Sequence, residues 1–451
     1  MKPFFLFCLF ITGLFSSCKK YLSEIPDKKL AIPSTPADLQ AILDNYRGMS
    51  SFYPFAPEIL ADNYYMTTSS FLSITNETYR NYYTWQPTTE SEAWPGVYGP
   101  VGDANVVLDN VDRIAAATPG SSSLNEVKGA ALFFRAFSFQ LGAELFGQPY
   151  RSATAETDAG IALRLTASIE EPTTRATMAA TYRQIISDAK KAIPLLPVTP
   201  LIKTRPSQPA ACALLARAYL CMQQYDSAFT YADAALSLYG DSLMNFNSLS
   251  ATATAPIKRF NAEVIFHARS AVTGTLNPGR AIIDSLLFRS YHANDLRRTI
   301  YYKAATDGTA TFKGDYDGSG TSSGYVFCGL VTDELLLTRA ECLARAGKTA
   351  EALQDLNKLL RSRWKTGLFT NYTAATPQEA LALVLTERRK ELLFRGTRWM
   401  DLRRLKDDPA FSVTPKRFVN NLNYELTPRS LRYTLRIPES IIAITGMQQN
   451  P

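Results

Sequence analysis

Histidine is almost absent: the 451 residues contain two, His267 and His292, and neither has a carboxylate or cysteine at ligand spacing. With no Cys-x-x-Cys pair either, the familiar metal-binding signatures are missing and structural histidines are expected. Cysteine is sparse as well. Cys8 and Cys18 fall within and at the end of an N-terminal apolar run, leaving Cys212, Cys221, Cys328 and Cys342. Cys212 and Cys221 belong to one predicted helix and stand roughly 13 Å apart along it, beyond the ~7 Å Cα separation a disulfide spans. A Cys328–Cys342 bridge is geometrically open, but nothing in the sequence supports it, so buried free thiols are expected. Beyond the N-terminal run no stretch approaches the ~18 apolar residues of a membrane-spanning helix. The net charge of +7 is spread along the chain. Its densest basic run, Arg388 to Lys406, is interleaved with Glu387, Glu391 and Asp401, unlike the uncompensated stripe of a nucleic-acid surface. Aromatics are abundant instead, with 23 Tyr, 24 Phe and 4 Trp. Tyr and Trp crowd between Tyr46 and Tyr98.

The N-terminus reads as an export signal. Lys2 precedes the apolar run Phe4–Phe15, too short to cross a bilayer and suited to a signal-peptide core. Ser16 and Ser17 then lead into Cys18. This resembles the bacterial lipoprotein signal, with Phe15 where that signal usually has Leu; ordinary secretory cleavage is the other reading. The resemblance implies residues 1–17 as signal peptide and Cys18 as the lipidated first residue of the mature protein. Two or more acyl chains make such an anchor stable. Residues 18–36 are polar and proline-interrupted, as a tether would be.

Helical periodicity begins near Ala37–Tyr46. Residues from about 50 to 100 are irregular, aromatic and rich in Ser, Thr and Asn, a composition suiting a surface loop with little core of its own. Regular helices are predicted over Asp103–Ala117, Leu124–Phe146, Met178–Leu195, Pro209–Gln223, Asp226–Leu238, Asp333–Ala346, Thr349–Arg361 and Pro377–Phe394. Pro194, Pro197 and Pro200 close the third. A second irregular region covers about 241–329, with a short strand at Val264–Ala268, and Leu431–Ile437 alternates like another strand. Two helix pairs share one internal pattern. Leu215, Ala216 and Tyr219 precede Ala228, Ala232 and Ala235, while Arg339, Ala340 and Leu343 precede Ala352, Leu356 and Leu359 at identical offsets. Small residues there let antiparallel helices approach closely, as in tetratricopeptide repeats; Arg339 stands where an apolar residue is usual. The predicted fold is mostly α, a helical-repeat scaffold over about 103–238 and 333–404 with loop-rich, mixed insertions, forming a single domain over 37–451.

Three motifs fail on inspection. Gly320–Gly324 matches the GxSxG nucleophile elbow, but no apolar strand precedes it and both histidines come earlier, the wrong order for a triad. Gly347-Lys348-Thr349 lacks the Gly five residues upstream that a phosphate loop requires and reads as a repeat turn. Asp315, Asp317 and Ser319 resemble half of a calcium loop, but the bidentate Glu is replaced by Val326, leaving only a looser calcium site at Asp315 and Asp317. A carboxylate pair for glycoside hydrolysis cannot be picked from sequence, and no pair stands out.

Read in order, several segments resemble the SusD/RagB family of outer-membrane nutrient-binding lipoproteins of Bacteroidetes. These are Ser17-Cys18-Lys19-Lys20-Tyr21-Leu22; Trp94, Tyr98, Asn105 and Leu108; Arg135, Ala136 and Gly147-Gln148-Pro149; Tyr182, Ile185, Asp188, Ala192 and Leu196; and Pro209–Tyr219. The strongest block runs from Glu387 to Arg404 and includes Gly396, Arg398, Trp399 and Asp401. Ile437-Pro438 and Asn450-Pro451 fit the family's end. The resemblance implies a SusD-like α-α superhelix and a non-catalytic, cofactor-free, cell-surface binding role. It also implies a TonB-dependent (SusC-like) outer-membrane transporter as partner in nutrient uptake and polysaccharide utilisation. Oligosaccharide is the implied cargo, with peptide as the alternative and a tethered glycan hydrolase as a more distant one. The membrane is met through the lipid anchor alone, and no nucleic acid is involved. The Glu387–Arg404 block is expected to be structural, with Glu391 and Arg395 at ion-pair spacing and Trp399 in the core.

Sugars present apolar C–H faces rimmed by hydroxyls, so their sites combine flat rings with hydrogen-bonding side chains. Two stretches supply that mixture: Asp62, Asn63, Tyr64 and Tyr65 with Arg80, Asn81, Tyr82, Tyr83 and Trp85; and Tyr301, Tyr302 and Lys303 with Asp315 and Tyr316. These are the expected ligand contacts.

Overall fold

The computed structural model describes residues 32–117, 122–271, 274–277, 279–319 and 324–451. The signal segment, Cys18, most of the tether and residues 320–323 of the GxSxG run lie outside them.

Eight long helices form the frame. Ala93–Ala117, Ser122–Phe146, Met178–Ala192, Gln208–Cys221, Tyr225–Tyr239, Thr332–Arg345, Thr349–Arg361 and Pro377–Glu391 each pack on the next in chain order. The first starts ten residues before the predicted Asp103. Gly96, Gly99, Gly102 and Pro100 argue locally against helix there, but tertiary contact overrides them. A Cβ on Gly96 would lie 2.8 Å from the Phe52 carbonyl, so glycine lets residues 52–54 lie directly on the helix.

The repeat pattern acts as its spacing predicts. Ala216, Ala228, Ala232 and Ala235 are fully buried between Gln208–Cys221 and Tyr225–Tyr239, as are Ala340 and Ala352 in the later pair. Both turns close alike: Gln224 N–H donates to the Tyr219 carbonyl and Lys348 N–H to that of Leu343. Gln223 and Gly347 take the left-handed conformation this closure requires. Gly347-Lys348-Thr349 is therefore a repeat turn. Arg339 replaces an apolar contact with a bridge, gripping Asp355 through two nitrogens at 2.8 Å and reaching Asp233 at 2.6 Å.

The irregular regions differ from expectation. Residues 50–92 contain short helices at Ala56–Leu60, Thr68–Leu72 and Glu77–Tyr83, and they supply Ile59, Leu60, Tyr64, Tyr82, Tyr83 and Trp85 to the main core. They join the main core because a crowd of rings buries more area than a polar loop composition suggests. The Val264–Phe266 strand forms and pairs with Leu330–Val331. Leu431–Ile437 is not a strand. It opens with a 3-10 turn at Leu431–Tyr433, and side chains and helix ends take its polar groups. Arg403 donates to the Tyr433 carbonyl, Leu435 N–H donates to Leu145, and Asn450 donates to the Leu435 carbonyl.

The Glu387–Arg404 block is mostly buried and rich in ion pairs. Arg297 binds Asp295 at 2.7 Å and Glu391 at 3.0 Å, while Arg363 binds Glu263 at 2.9 Å and Glu391 at 2.7 Å. Burial alone would raise the Glu391 carboxyl; Arg363, Arg297 and Arg395 outweigh it and hold it below the usual range. The expected Glu391–Arg395 pair does not form as a helical i,i+4 contact. The helix ends at Glu391, Phe394 has φ 56°, and Arg395 turns away to Asp333 at 2.6 Å. Trp399 is completely buried, and its indole N–H donates to the Glu144 carbonyl at 3.1 Å. The four described cysteines are free thiols. Burial pushes Cys212 up to about 11, and Cys328 and Cys342 up to about 12.

Candidate functional site

The first expected platform is core. Tyr64, Tyr82, Tyr83 and Trp85 are at most 4% exposed and Asn63 is fully buried. The polar ends of Tyr82, Tyr83 and Trp85 are used internally, while the buried Tyr64 hydroxyl has no hydrogen-bond partner among the described residues. The Tyr83 hydroxyl accepts from Met66 N–H at 2.8 Å, that of Tyr82 meets Ser91 at 2.6 Å, and the Trp85 indole donates to the Leu60 carbonyl at 2.9 Å. Asp62 holds Arg398 at 2.6 and 2.8 Å, and Asn63 donates to Glu58 at 3.4 Å. Arg80 donates to the Ile74 carbonyl and Asn81 to that of Pro87. Tyr65 is half-buried. The second platform is core too. Tyr301, Tyr302 and Tyr316 are buried, with their hydroxyls on Glu391, Tyr291 and Glu263. Of these ring residues Tyr65 keeps part of its surface in solvent and Tyr82 borders an open cleft, while the remaining rings offer no face to a ligand.

Sequence reasoning missed what closes the first cluster. The Arg417 guanidinium lies 3.8 Å from the Tyr83 ring centroid and 4.5 Å from that of Trp85, and donates to the Ile59 carbonyl at 2.8 Å. A cation over ring faces in a dry setting fixes their orientation.

The calcium expectation at Asp315 and Asp317 finds no donor set. Among the described residues no three His, Cys, Asp or Glu converge on a metal position. Asp317 faces Arg259, Arg269 and His267 at 3.1 to 3.5 Å. Burial would raise its carboxyl, but His267, Ser319 and the two arginines bring it down to about 2. His267 is fully buried, and burial lowers its basicity. His292 is exposed and stacks on Trp364 at 4.9 Å.

An open cleft does lie between the two irregular regions. Its volume is about 310 Å³, and Phe52, Phe55, Tyr79, Tyr82, Glu92, Pro95 and Ala271 line it. Phe52 is 45% exposed, and the Arg47 guanidinium stands 5.8 Å from its ring. The Tyr79 hydroxyl donates to the Glu92 carboxylate, and Asn76 donates to its other oxygen at 2.5 Å. Tyr53 N–H donates to the Arg269 carbonyl and Ser270 Oγ to that of Pro54, joining the cleft wall to the strand Arg269–Ala271. That strand pairs with Tyr325–Phe327, where the Arg269 guanidinium lies between the rings of Tyr325, at 3.7 Å, and Tyr46, at 5.0 Å. The cleft thus has a flat apolar wall, a phenol and a carboxylate with lone pairs to spare. Glu92 is its single lining carboxylate, whereas glycoside hydrolysis takes two. A separate internal cavity of about 40 Å³, lined by Glu58, Gln140, Glu144 and Arg217 among others, has room for water-sized guests only.

A helical-repeat frame carrying an aromatic-walled cleft between two irregular insertions defines the class of protein. The chain belongs to the SusD family. A family profile described as "Starch-binding associating with outer membrane" matches residues 20–220, and the SusD family profile matches residues 332–437. SusD-like protein P2 of Formosa agariphila is 25% identical over 376 residues, covering 70% of this chain and 72% of that one. A SusD superfamily protein of Bacteroides thetaiotaomicron superposes with TM-score 0.75 at 20% identity, over 92% of this chain and 100% of its own. A SusD-like carbohydrate binding protein of Bacteroides vulgatus gives 0.69 at 19% identity, over 92% and 97%. These likenesses support the predicted fold.

Proposed function

We propose that the protein captures oligosaccharide at the cell surface in the Phe52–Tyr79–Glu92 cleft and passes it, unaltered, to a TonB-dependent outer-membrane transporter. The observation that carries this reading is the cleft itself: an exposed ring beside a carboxylate and a phenol, in a family whose profile is described as starch-binding and outer-membrane-associated. The Phe52 face suits the C–H face of a sugar ring, and Glu92 accepts from its hydroxyls. Lipidation at Cys18 holds the domain at the membrane, and no helix among the described residues is long and apolar enough to cross one.

Calorimetry against a panel of neutral and acidic oligosaccharides tests the reading. The wild-type protein binds at least one of them, and Phe52→Ala weakens that affinity about tenfold, the worth of one aromatic stacking contact. Binding of peptides but of no glycan overturns the assignment of cargo. Release of shortened sugars during incubation overturns the non-catalytic role.

A further inference from the structure

A second concave surface flanks the first turns of Ala93–Ala117. Its volume is about 440 Å³, larger than the candidate cleft. Its floor is a ring pair: Trp94 and Tyr98 lie 4.3 Å apart at 31°, both half-buried. Trp94 is steadied edge-on by Phe146 at 5.1 Å, and the Tyr98 hydroxyl is fixed by the backbone of Ala162, accepting from its N–H at 3.1 Å and donating to its carbonyl at 3.0 Å. The rings are therefore held in place before any ligand arrives. One rim is polar. Arg164 donates to Thr173 Oγ1 at 3.0 Å, and Asn105 holds the Arg164 and Thr166 carbonyls at 2.9 and 3.1 Å. The opposite rim is Ile444, 82% exposed.

Gly102 widens this cleft. Gly102 sits inside the helix, lines the cleft, and a Cβ added there would meet no atom within 4 Å. Glycine weakens a helix interior relative to alanine, and no protein neighbour requires it here. Gly102 is exposed, and its bare backbone beside a fixed ring pair and a polar rim lets a ligand lie close to the helix.

We infer that the Trp94–Tyr98 cleft is a second saccharide subsite, receiving a ring of a chain too long for the Phe52 cleft alone. The two clefts share the start of one helix: Ala93 and Pro95 line the first, Trp94 and Tyr98 the second. The inference rests on the oligosaccharide reading proposed above.

Gly102→Leu tests it. The panel of cello-, malto-, xylo-, manno- and galacturono-oligosaccharides is titrated as disaccharides and octasaccharides into wild type and variant, with Tm recorded for each. The leucine fills the cleft while improving the helix, so Tm rises by about 1 to 2 °C. Octasaccharide affinity falls about tenfold, the worth of one stacked ring, and disaccharide affinity is unchanged. Ile444→Trp, at an exposed position on the rim, changes octasaccharide affinity without moving Tm. Equal octasaccharide affinity in wild type and both variants overturns the second subsite and leaves the first standing. Failure of the wild-type protein to bind any sugar of the panel overturns the parent reading, and this one with it.

Discussion

Glu58 joins the wall of the candidate cleft to the helical frame, and its proton sets a measurable pH dependence. It lies on Ala56–Leu60, is 2% exposed, and its carboxylate accepts from Gly396 N–H at 2.6 Å and from Asn63 at 3.4 Å. Neither partner carries a full charge. Burial therefore dominates and raises its pKa from 4.5 to about 7, against the lowering effect of those two hydrogen bonds. The folded protein then binds this proton more tightly than the unfolded chain does. Below about 4.5 both states hold it and Glu58 has no effect on stability. As pH rises from there through about 7, the unfolded chain releases it first and stability falls; above about 7 the loss is complete. A rise from 4.5 to about 7, at about 1.4 kcal/mol per pH unit, comes to roughly 3 kcal/mol. Glu58→Gln keeps an acceptor for Gly396 and removes the titration. Asp315 is also raised to about 7 by burial, so the wild-type curve contains more than one group, and the difference between wild type and variant isolates Glu58. Urea denaturation at pH 4 and pH 8 should show near-equal stabilities at the lower value and a variant more stable by roughly 2 to 3 kcal/mol at the higher. An equal difference at both pH values would refute the reasoning, because it would mean that Glu58 keeps the same protonation state throughout.

Two further outcomes follow from the frame and the anchor. Arg339→Leu restores the usual repeat residue but leaves Asp355, whose side chain is 9% exposed, without its partner; it should cost about 2 to 3 kcal/mol in urea denaturation, and adding Asp355→Leu should recover most of it, since a packed apolar pair matches a buried ion pair. Cys18→Ala should leave glycan affinity unchanged in calorimetry yet abolish uptake of the same sugar in cells, and undiminished uptake would show that Cys18 lipidation is not what positions the protein.

The frame was legible because its signal is local. Helical spacing, the alanines at repeat offsets and the turn residues Gln223 and Gly347 each act over a few neighbours, and the packing agrees with them. The start of Ala93–Ala117 was not legible, because glycines and a proline argue against helix and tertiary contacts, that of Gly96 with residues 52–54 among them, override them. The aromatic platforms failed for a related reason. Composition reveals that rings are present but not which way they face, and the residue that fixes Tyr83 and Trp85 inward is Arg417, 334 positions after Tyr83. Phe52 is the one exposed aromatic between Tyr46 and Tyr98, and nothing in its local pattern separates it from Tyr53 or Phe55, which are buried.

The burial of those rings bears on function all the same. Among the described residues the strands of the loop-rich face pair two at a time, so backbone hydrogen bonds alone cannot hold it in one shape. Several buried tyrosines do much of that, anchoring a loop through both ring and hydroxyl. Tyr83 takes the Met66 N–H, Tyr53 donates to the Met49 carbonyl at 2.8 Å, and Tyr316 reaches Glu263 at 2.6 Å. Irregular backbone fixed in this way presents the Phe52 ring and Glu92 in place before a ligand arrives, so that little ordering entropy opposes binding. The aromatic excess and the few rings at the clefts are thus parts of one arrangement: most of the rings make the surface rigid, and a few exposed or half-buried ones are left for the sugar contact proposed above.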